Sequence, residues 1–508
     1  MTAVGGSSSV SRGGTTAWDT VRIDPLRQGA KRMGLNIDEL STMDATAHAE
    51  LVRRRELTPL ELVDAAIARI ERVNPTINAV ITPLFEEARK AAVSPDLPNG
   101  PFRGVPFLLK DIGAMQKGQP YSAGNRALRD AGFRSPVDTP LGARFRAAGL
   151  ITLGKTNLPE FGQQTTTQPL AFGATRNPWA LDRSTSGSSG GSCAAVAAGM
   201  VPIAHANDGG GSIRLPAAWC GLVGLKPSRG RVSDPLDTLI LTELAVSRTV
   251  RDVAAVLDAV HGSEPGDLFV APPPSRSYMA EVGTDPEKLR IGVLTRTTFG
   301  EIHPECLAAT RGAAKLLESL GHTIEESYPE ALLDGGLGGS QTSALNRDVV
   351  MLIRGLGEIL GRPVTRDDVE PYLWSATEVP SATADEYLAA QIWLFRWRRR
   401  VVQWWSAGFD MLLTPTVWEP PATLESMTPV EGQLAELFAK VIRHVFFTRP
   451  FNITGQPAIS LPLHWTPEGL PVGVQLVAAM GREDLLIRIA SQIEQAQPWV
   501  SRRPPVHA

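Results

Sequence analysis

Cysteine is scarce. The 508 residues hold only Cys193, Cys220 and Cys306, far apart and with no C-x-x-C pair. A disulfide framework and a zinc knuckle are thereby excluded, and a reducing cytoplasm is the expected compartment. Histidine is thin as well, at 8 scattered residues without an H-E-x-x-H helix. Catalysis with no protein-bound metal and no cofactor is the expectation. An excess of charge is missing too. The net charge of −3 offers no electrostatic footprint for nucleic acid. No apolar run approaches the roughly 20 residues that cross a bilayer, so no membrane partner is expected. Residues 1–38 begin rich in Gly, Ser and Thr and lack the apolar stretch of a secretory signal. They read as a flexible N-terminal extension.

What is present fits an ordinary globule, with 43% hydrophobic and 20% charged residues. No internal repeat and no shift of composition breaks residues 39–508, which read as a single domain. Thr58-Pro59-Leu60-Glu61 predicts a helix start. Thr58 is the cap, Pro59 suits the first helical position, and Glu61 completes a capping box. Leu60, Val63, Ile67, Ile70 and Val73 then recur on one face. Thr139 and Pro140 open another helix over 141–148. Further helices are expected over 250–260, 304–320 and 482–495. Short apolar runs predict strands at 77–82, 104–111, 150–153, 289–295, 409–415, 457–463 and 473–477. The segment 332–405 reads as an all-helical insertion. Strands interspersed with helices imply a layered α/β architecture.

Two glycine–serine clusters stand out. The first runs from Ser184 through Ser186, Gly187, Ser188 and Ser189 to Ser192. The second runs from Asn207 through Asp208, Gly209, Gly210, Gly211, Ser212, Ile213 and Arg214 to Pro216. Glycine allows close backbone approach, and successive N–H groups in such turns form concave anion sites. Gly-Ser runs are often flexible linkers, but here Cys193–Ala198 and Val201–Ala204, both of core composition, follow the first cluster. A serine in this setting either lines the anion site or attacks what is bound there. Attack requires a base, and neither cluster contains a histidine. His205, between Ala204 and Ala206, reads as a core histidine near a buried strand end. A lysine serves as base when burial keeps it neutral. Lys110, at the end of an apolar run, fits that role. The N–H groups of Gly209–Ser212 suit a tetrahedral oxyanion. On these residues alone a Lys–Ser–Ser hydrolase stands beside a simpler alternative, in which Lys110 pairs with a carboxylate and the clusters bind an anion.

Gly149–Thr156 matches the phosphate-loop pattern G-x-x-x-x-G-K-T letter by letter. The pattern works only as a polar loop between a strand and a helix. Here the intervening residues are Leu150, Ile151, Thr152 and Leu153, strand formers themselves, and Pro159 disfavours a helix just before it. Lys155 is expected to end a buried strand, and an ATPase is the weakest of the alternatives.

The stretch Gly104–Asp111 resembles the lysine motif of the amidase signature family. Arg183–Ser192 is similar to that family's cis-serine motif, and Asp208–Pro216 to its nucleophile motif, continued by Gly221–Pro227. Their order and spacing also agree, and the similarity runs from about residue 43 to the end. The resemblance implies a large mixed central sheet covered by helices on both faces, with the helical insertion 332–405. It implies that Lys110 is the general base, that Ser188 follows a cis Gly187–Ser188 bond and relays the proton, and that Ser212 is the acylated nucleophile. Gly209, Gly210, Gly211 and Ser212 would form the oxyanion hole, with Ser189, Asp208 and Arg214 as supports. Two departures are visible: Gly209 stands where the family commonly has Thr, and Ser186 precedes Gly187 where Gly is frequent. Neither removes a member of the triad.

The implied activity is hydrolysis of a linear or cyclic amide C–N bond in a small molecule. A carbamate, urethane or ester hydrolase with the same triad is an alternative. So is the amidotransferase subunit of a tRNA-transamidation complex. A homodimer remains open. Trp374, Trp393, Trp397, Trp404 and Trp405 in or beside the insertion are candidates either for an apolar substrate cleft or for plain packing.

Overall fold

The computed structural model describes residues 37–233, 240–334, 348–428 and 434–508. Its strands are β1 (Val80–Pro83), β2 (Pro106–Lys110), β3 (Ile151–Thr156), β4 (Arg176–Asn177), β5 (Ala180–Ser184), β6 (Ile203–Asp208), β7 (Val223–Lys226), β8 (Thr242–Ser247), β9 (Arg290–Val293), β10 (Thr323–Glu325), β11 (Met411–Pro415), β12 (Ala458–Trp465) and β13 (Pro471–Ala478). Eleven form one sheet in the order β1-β3-β2-β6-β8-β7-β12-β13-β11-β9-β10, and β4 pairs only with β5. The large sheet is mixed. β2 runs parallel to β3 and β6, β9 runs parallel to β10 and β11, and the remaining pairs are antiparallel.

Successive residues of a strand point to opposite faces. Every residue of β2, β6, β7, β8, β11 and β13 is buried, so the middle of the sheet is covered on both sides, as expected. The principal helices are α1 (Ala45–Arg53), α2 (Pro59–Ile77), α3 (Pro140–Ala147), α4 (Gly190–Ala197), α5 (Arg214–Cys220), α6 (Val250–Val260), α7 (Pro304–Ser319), α8 (Asp348–Leu360), α9 (Pro371–Glu378), α10 (Ala384–Gln403), α11 (Leu434–His444), α12 (Arg449–Thr454) and α13 (Glu483–Ala496). α4 packs on β6, β2 and β8, α5 on β7, β12 and β13, and α13 on β12, β13 and α6.

The predicted capping box of α2 is present, with both Thr58 and Glu61 engaged. The apolar face that follows buries Val63, Ile67, Ile70 and Val73. α2 continues through Ile77, and Asn78 ends it in a left-handed conformation (φ 52°). The expected strand at 77–82 therefore begins only at Val80. β3 in turn outruns its expected end and carries Lys155 and Thr156 within the ladder to β2. The described part of the insertion carries the helices α8, α9 and α10, joined by connections that are not α-helical; its residues 335–347 lie outside the described residues.

Two helices sit unusually close to what they cover. A Cβ on Gly473 would lie 2.5 Å from Ala218 Cβ, and one on Gly224 would lie 2.7 Å from Ala217 Cβ. Side-chain-free positions on β7 and β13 thus let α5 rest on the sheet. At the start of α4, a Cβ on Gly191 would lie 2.5 Å from the main-chain N and O of Asn157. Gly191→Ala is expected to cost about 1–3 kcal/mol by overpacking, read from the urea midpoint. Gly312→Ala, in α7 with nothing within 4 Å, is expected to stabilise by up to about 1 kcal/mol.

Candidate active site

The adjacent ends of β2 and β6, and a turn that leaves the separate β4–β5 pair, build the site. β2 carries an apolar run into the core and ends on Lys110, which is only 1% exposed. The Lys110 amine has neutral partners: Nζ lies 2.7 Å from Ser188 Oγ, 3.0 Å from Ser189 Oγ and 2.6 Å from Asn207 Oδ1. Among the described residues no carboxylate comes within ion-pair distance of it, so the simple pairing with a carboxylate is not what the structure shows. Burial pushes its pKa down to about 7, against the opposing pull of the Glu243 and Asp208 charges. An uncharged amine is therefore well populated at neutral pH.

The first glycine–serine cluster joins β5 to α4. The Gly187–Ser188 bond is cis. Gly187 lies against the backbone of the preceding segment, where a Cβ would stand 2.8 Å from Gln164 O and Thr166 N. Ser188 is buried beside Lys110. Ser189 Oγ is also a donor, to the Asn207 carbonyl at 3.3 Å.

The second cluster follows β6. Asp208 ends the strand and caps the next turn, with Oδ2 accepting from the Ile213 N–H at 3.1 Å. Its carboxylate also takes two guanidinium bonds from Arg214, at 2.9 Å each, and both side chains are fully buried. Arg214 reaches further, donating to Thr448 O at 2.9 Å, Gln475 Oε1 at 2.7 Å and Asn452 Oδ1 at 2.7 Å. Asn452 Nδ2 returns to Asp208 O at 2.7 Å, and Thr448 Oγ1 donates to Gly210 O at 2.6 Å. The turn from Gly209 to Ser212 is thus held by neighbours outside it. Gly211 has φ 140°, and a Cβ there would collide with Thr448 and Leu215, so glycine is required on both counts. Ser212 sits at the end of the turn and is half-buried, unlike Lys110 and Ser188.

The structure therefore brings Lys110, Ser188 and Ser189 into direct contact, and Asp208 onto Arg214. It places Ser212 on the following turn without a hydrogen bond to Ser188 among the described residues.

His205 is buried, as expected, but lies mid-strand, and its Nε2 is 2.6 Å from Glu243 Oε2. Asn207, Glu243, Thr448, Asn452 and Gln475 were not expected. Glu243, a charge inside the apolar run of β8, was a readable signal. The contacts of Thr448, Asn452 and Gln475 with Arg214 cross more than 200 residues of chain and leave no local trace.

The phosphate-loop match lies largely inside β3, and a 3-10 turn (Glu160–Gly162) follows in place of a helix. Lys155 is buried at that strand's end, with its pKa lowered to about 8 by burial. Trp397 lines a cavity of about 30 Å³ together with Phe299, Leu332, Val445, Phe446 and Arg449. A Cβ on Gly210 would reach Val445 at 3.9 Å and Arg449 at 4.0 Å, so this cavity adjoins the Gly209–Ser212 turn. Trp404 stacks on Phe409, while Trp393 and Trp405 pack against the main core. Trp374 packs on a separate cluster around Tyr372. Among the described residues no helix is long and apolar enough to cross a membrane, and no group of three His, Cys, Asp or Glu side chains is placed to hold a metal ion.

A lysine buried at a strand end of a mixed sheet, met by one glycine–serine turn after β5 and another after β6, is the arrangement of an amide hydrolase of the amidase signature class. The family model described as Amidase matches residues 61–487. The chain belongs to the amidase family, and its reaction is hydrolysis of an amide C–N bond. Among relatives, 6-aminohexanoate-cyclic-dimer hydrolase of Paenarthrobacter ureafaciens is 47% identical over 476 residues, covering 91% of this chain and 96% of that protein. A solved structure of 6-aminohexanoate cyclic dimer hydrolase complexed with substrate superposes with a TM-score of 0.87 at 45% identity, over 92% of this chain and 100% of that one. A bacterial aryl acylamidase of the amidase signature enzymes family superposes at 0.77 and 28% identity, over 90% and 96%.

Breaking the buried Asp208–Arg214 pair by Asp208→Ala is expected to cost about 3–5 kcal/mol, because Arg214 loses its counter-charge. Burial alone would raise the Asp208 pKa, but Arg214 and the hydrogen bonds bring it down from 3.8 to about 2. Its contribution to stability is complete above the unfolded value and is lost as pH falls through about 2. Acid unfolding of Asp208→Asn, compared with wild type over that window, checks the sign.

Proposed function

We propose that the chain acylates Ser212, with Lys110 as general base and Ser188 passing the proton between them. The observation that carries this is the Lys110 amine, buried without an ion pair and 2.7 Å from Ser188 Oγ. As Ser212 Oγ bonds to the carbonyl carbon, its proton moves to Ser188 Oγ and the Ser188 proton moves to Lys110 Nζ. The carbonyl oxygen becomes an oxyanion, which the main-chain N–H groups of Gly209, Gly210, Gly211 and Ser212 receive. When the C–N bond breaks, the same path returns a proton to the departing nitrogen. Water then attacks the Ser212 ester by the reverse sequence and releases the acid. Ser189, Asp208 and Arg214 support the reacting groups and take no proton.

The substrate that fits best is a cyclic amide of the 6-aminohexanoate type. The 47% identity over nearly the whole chain supports it. In this reading residues 39–508 form one catalytic domain in the cytoplasm, and a homodimer is compatible with the chemistry; the extension expected over residues 1–38 lies, up to residue 36, outside the described residues.

Ser212→Ala is expected to abolish the acyl-enzyme and to reduce turnover roughly a thousandfold or more. An undiminished burst would reassign the nucleophile. The base form of Lys110 accumulates above its pKa, so kcat/KM should rise as pH climbs through about 7. A fall over that window in folded enzyme would exclude a neutral-lysine base. A panel of cyclic amides, linear amides, carbamates and esters, followed by mass detection, should show the cyclic amide turned over fastest. Preference for a carbamate or ester would move the assignment to that class. Full turnover by the isolated chain would separate it from an amidotransferase subunit.

A further inference from the structure

Three neighbouring strands carry a polar chain behind the site. β2 ends at Lys110, β6 carries His205 and Asn207, and β8 carries Glu243. Asn207 and Glu243 are cross-strand partners. His205 is two residues from Asn207 on the same strand, so the three side chains share one face. All are buried. Asn207 Nδ2 donates to Glu243 Oε1 at 3.3 Å, and His205 Nε2 lies 2.6 Å from Glu243 Oε2. Gly113 gives this carboxylate its space, since a Cβ there would collide with Glu243 Oε1.

Donor and acceptor chemistry assigns a direction to each bond. An ionised carboxylate only accepts, so the Asn207 amide and the His205 Nε2–H both donate to Glu243. His205 Nδ1, buried and without a partner among the described residues, is then a bare lone pair and not a stranded N–H. With its NH₂ turned to Glu243, Asn207 must present Oδ1 to Lys110, as observed at 2.6 Å. The Ser189 O–H points to the Asn207 carbonyl, so Ser189 Oγ accepts from Lys110 at 3.0 Å. A neutral amine has two N–H groups and one lone pair. Asn207 Oδ1 and Ser189 Oγ take the two N–H groups. The lone pair is left facing the remaining partner, the Ser188 hydroxyl at 2.7 Å.

We infer that Glu243 is a positioning residue for the reaction: by fixing the direction of the Asn207 amide, it turns the Lys110 lone pair onto Ser188. The inference rests on the proposed role of Lys110 as base. Were the amide to rotate, its NH₂ would face the amine, compete for the lone pair and leave Ser188 without a proton acceptor. The charged and titratable groups acting on Lys110 are Glu243 from β8, Asp208 from the end of β6 and Cys193 from α4. On its far side Glu243 meets His205, and it acts on the buried Tyr121. The Glu243 charge favours the ammonium form of Lys110, so its removal should ease deprotonation even as it loosens the geometry.

The test compares Glu243→Gln, Asn207→Ala and Lys110→Ala in the full chain, with active sites counted by the acyl-enzyme burst. Glu243→Gln is expected to lower kcat per active site about tenfold to a hundredfold, with KM nearly unchanged and the acid limb of the pH profile moved to lower pH. Asn207→Ala is expected to show the same loss in kcat. A purely structural role would lower thermal stability and the fraction of active sites but leave kcat per site in place, and that result overturns the inference; the acid limb moves in either case, because the charge is gone. Should Glu243→Gln fail to fold, Asn207→Ala decides alone by the same kcat criterion. Near-normal turnover of Lys110→Ala would instead overturn the base assignment itself. An inactive Lys110→Ala beside unimpaired Glu243→Gln and Asn207→Ala would overturn only the positioning role.

Discussion

An ammonium group taken out of water without a counter-charge loses far more hydration than neutral hydrogen bonds restore. The Lys110 amine is placed in that position at the end of a strand buried on both faces. Its lowered pKa follows from the burial of β2, and the role of base proposed for it rests on that burial. The neighbours that make the burial tolerable are dipolar and not ionic. Ser188 and Ser189 come from the turn before α4, and Asn207 comes from the adjacent strand. The packing that stabilises the middle of the sheet therefore also prepares the chemistry.

A turn made of glycines has no side chains with which to hold its own shape. The Gly209–Ser212 turn is fixed from outside, through Asp208, Arg214, Thr448 and Asn452. These partners bind main-chain atoms and one another, leaving the N–H groups of the turn free to point elsewhere. Arg214 is suited to this because its planar fork holds several acceptors at once. The Asp208–Arg214 pair thus links the strand end of β6 to α12 and to Gln475 of β13, so segments distant in sequence set the geometry of one short loop.

Much of the site was legible because its signals are local. Lys110 closes an apolar run, both serine clusters interrupt core-like sequence, and the capping box at Thr58 lies within four consecutive residues. The phosphate-loop match could be set aside on its strand-forming interior, and β3 occupies that interior. Pairing between strands was not legible. β8 carries Glu243 opposite Asn207, and no spacing rule within either segment reveals that register. Boundaries shifted where a cap outweighed an apolar pattern. Asn78 adopts a left-handed conformation and ends α2 inside what reads as a strand. His205 was recognised as a core residue, but its place beside Glu243 required the sheet order.

The difference in exposure between Ser212 and its two neighbours has a consequence for the path of the proton. Lys110 and Ser188 are sealed from bulk water, whereas Ser212 is only half-buried. Under the proposed mechanism, a hydrogen lifted from Ser212 has no aqueous exit while the acyl group is being transferred. The nitrogen that departs in the first half-reaction would then take up the hydrogen that Ser212 gave, and the deacylating water would supply the one that restores Ser212.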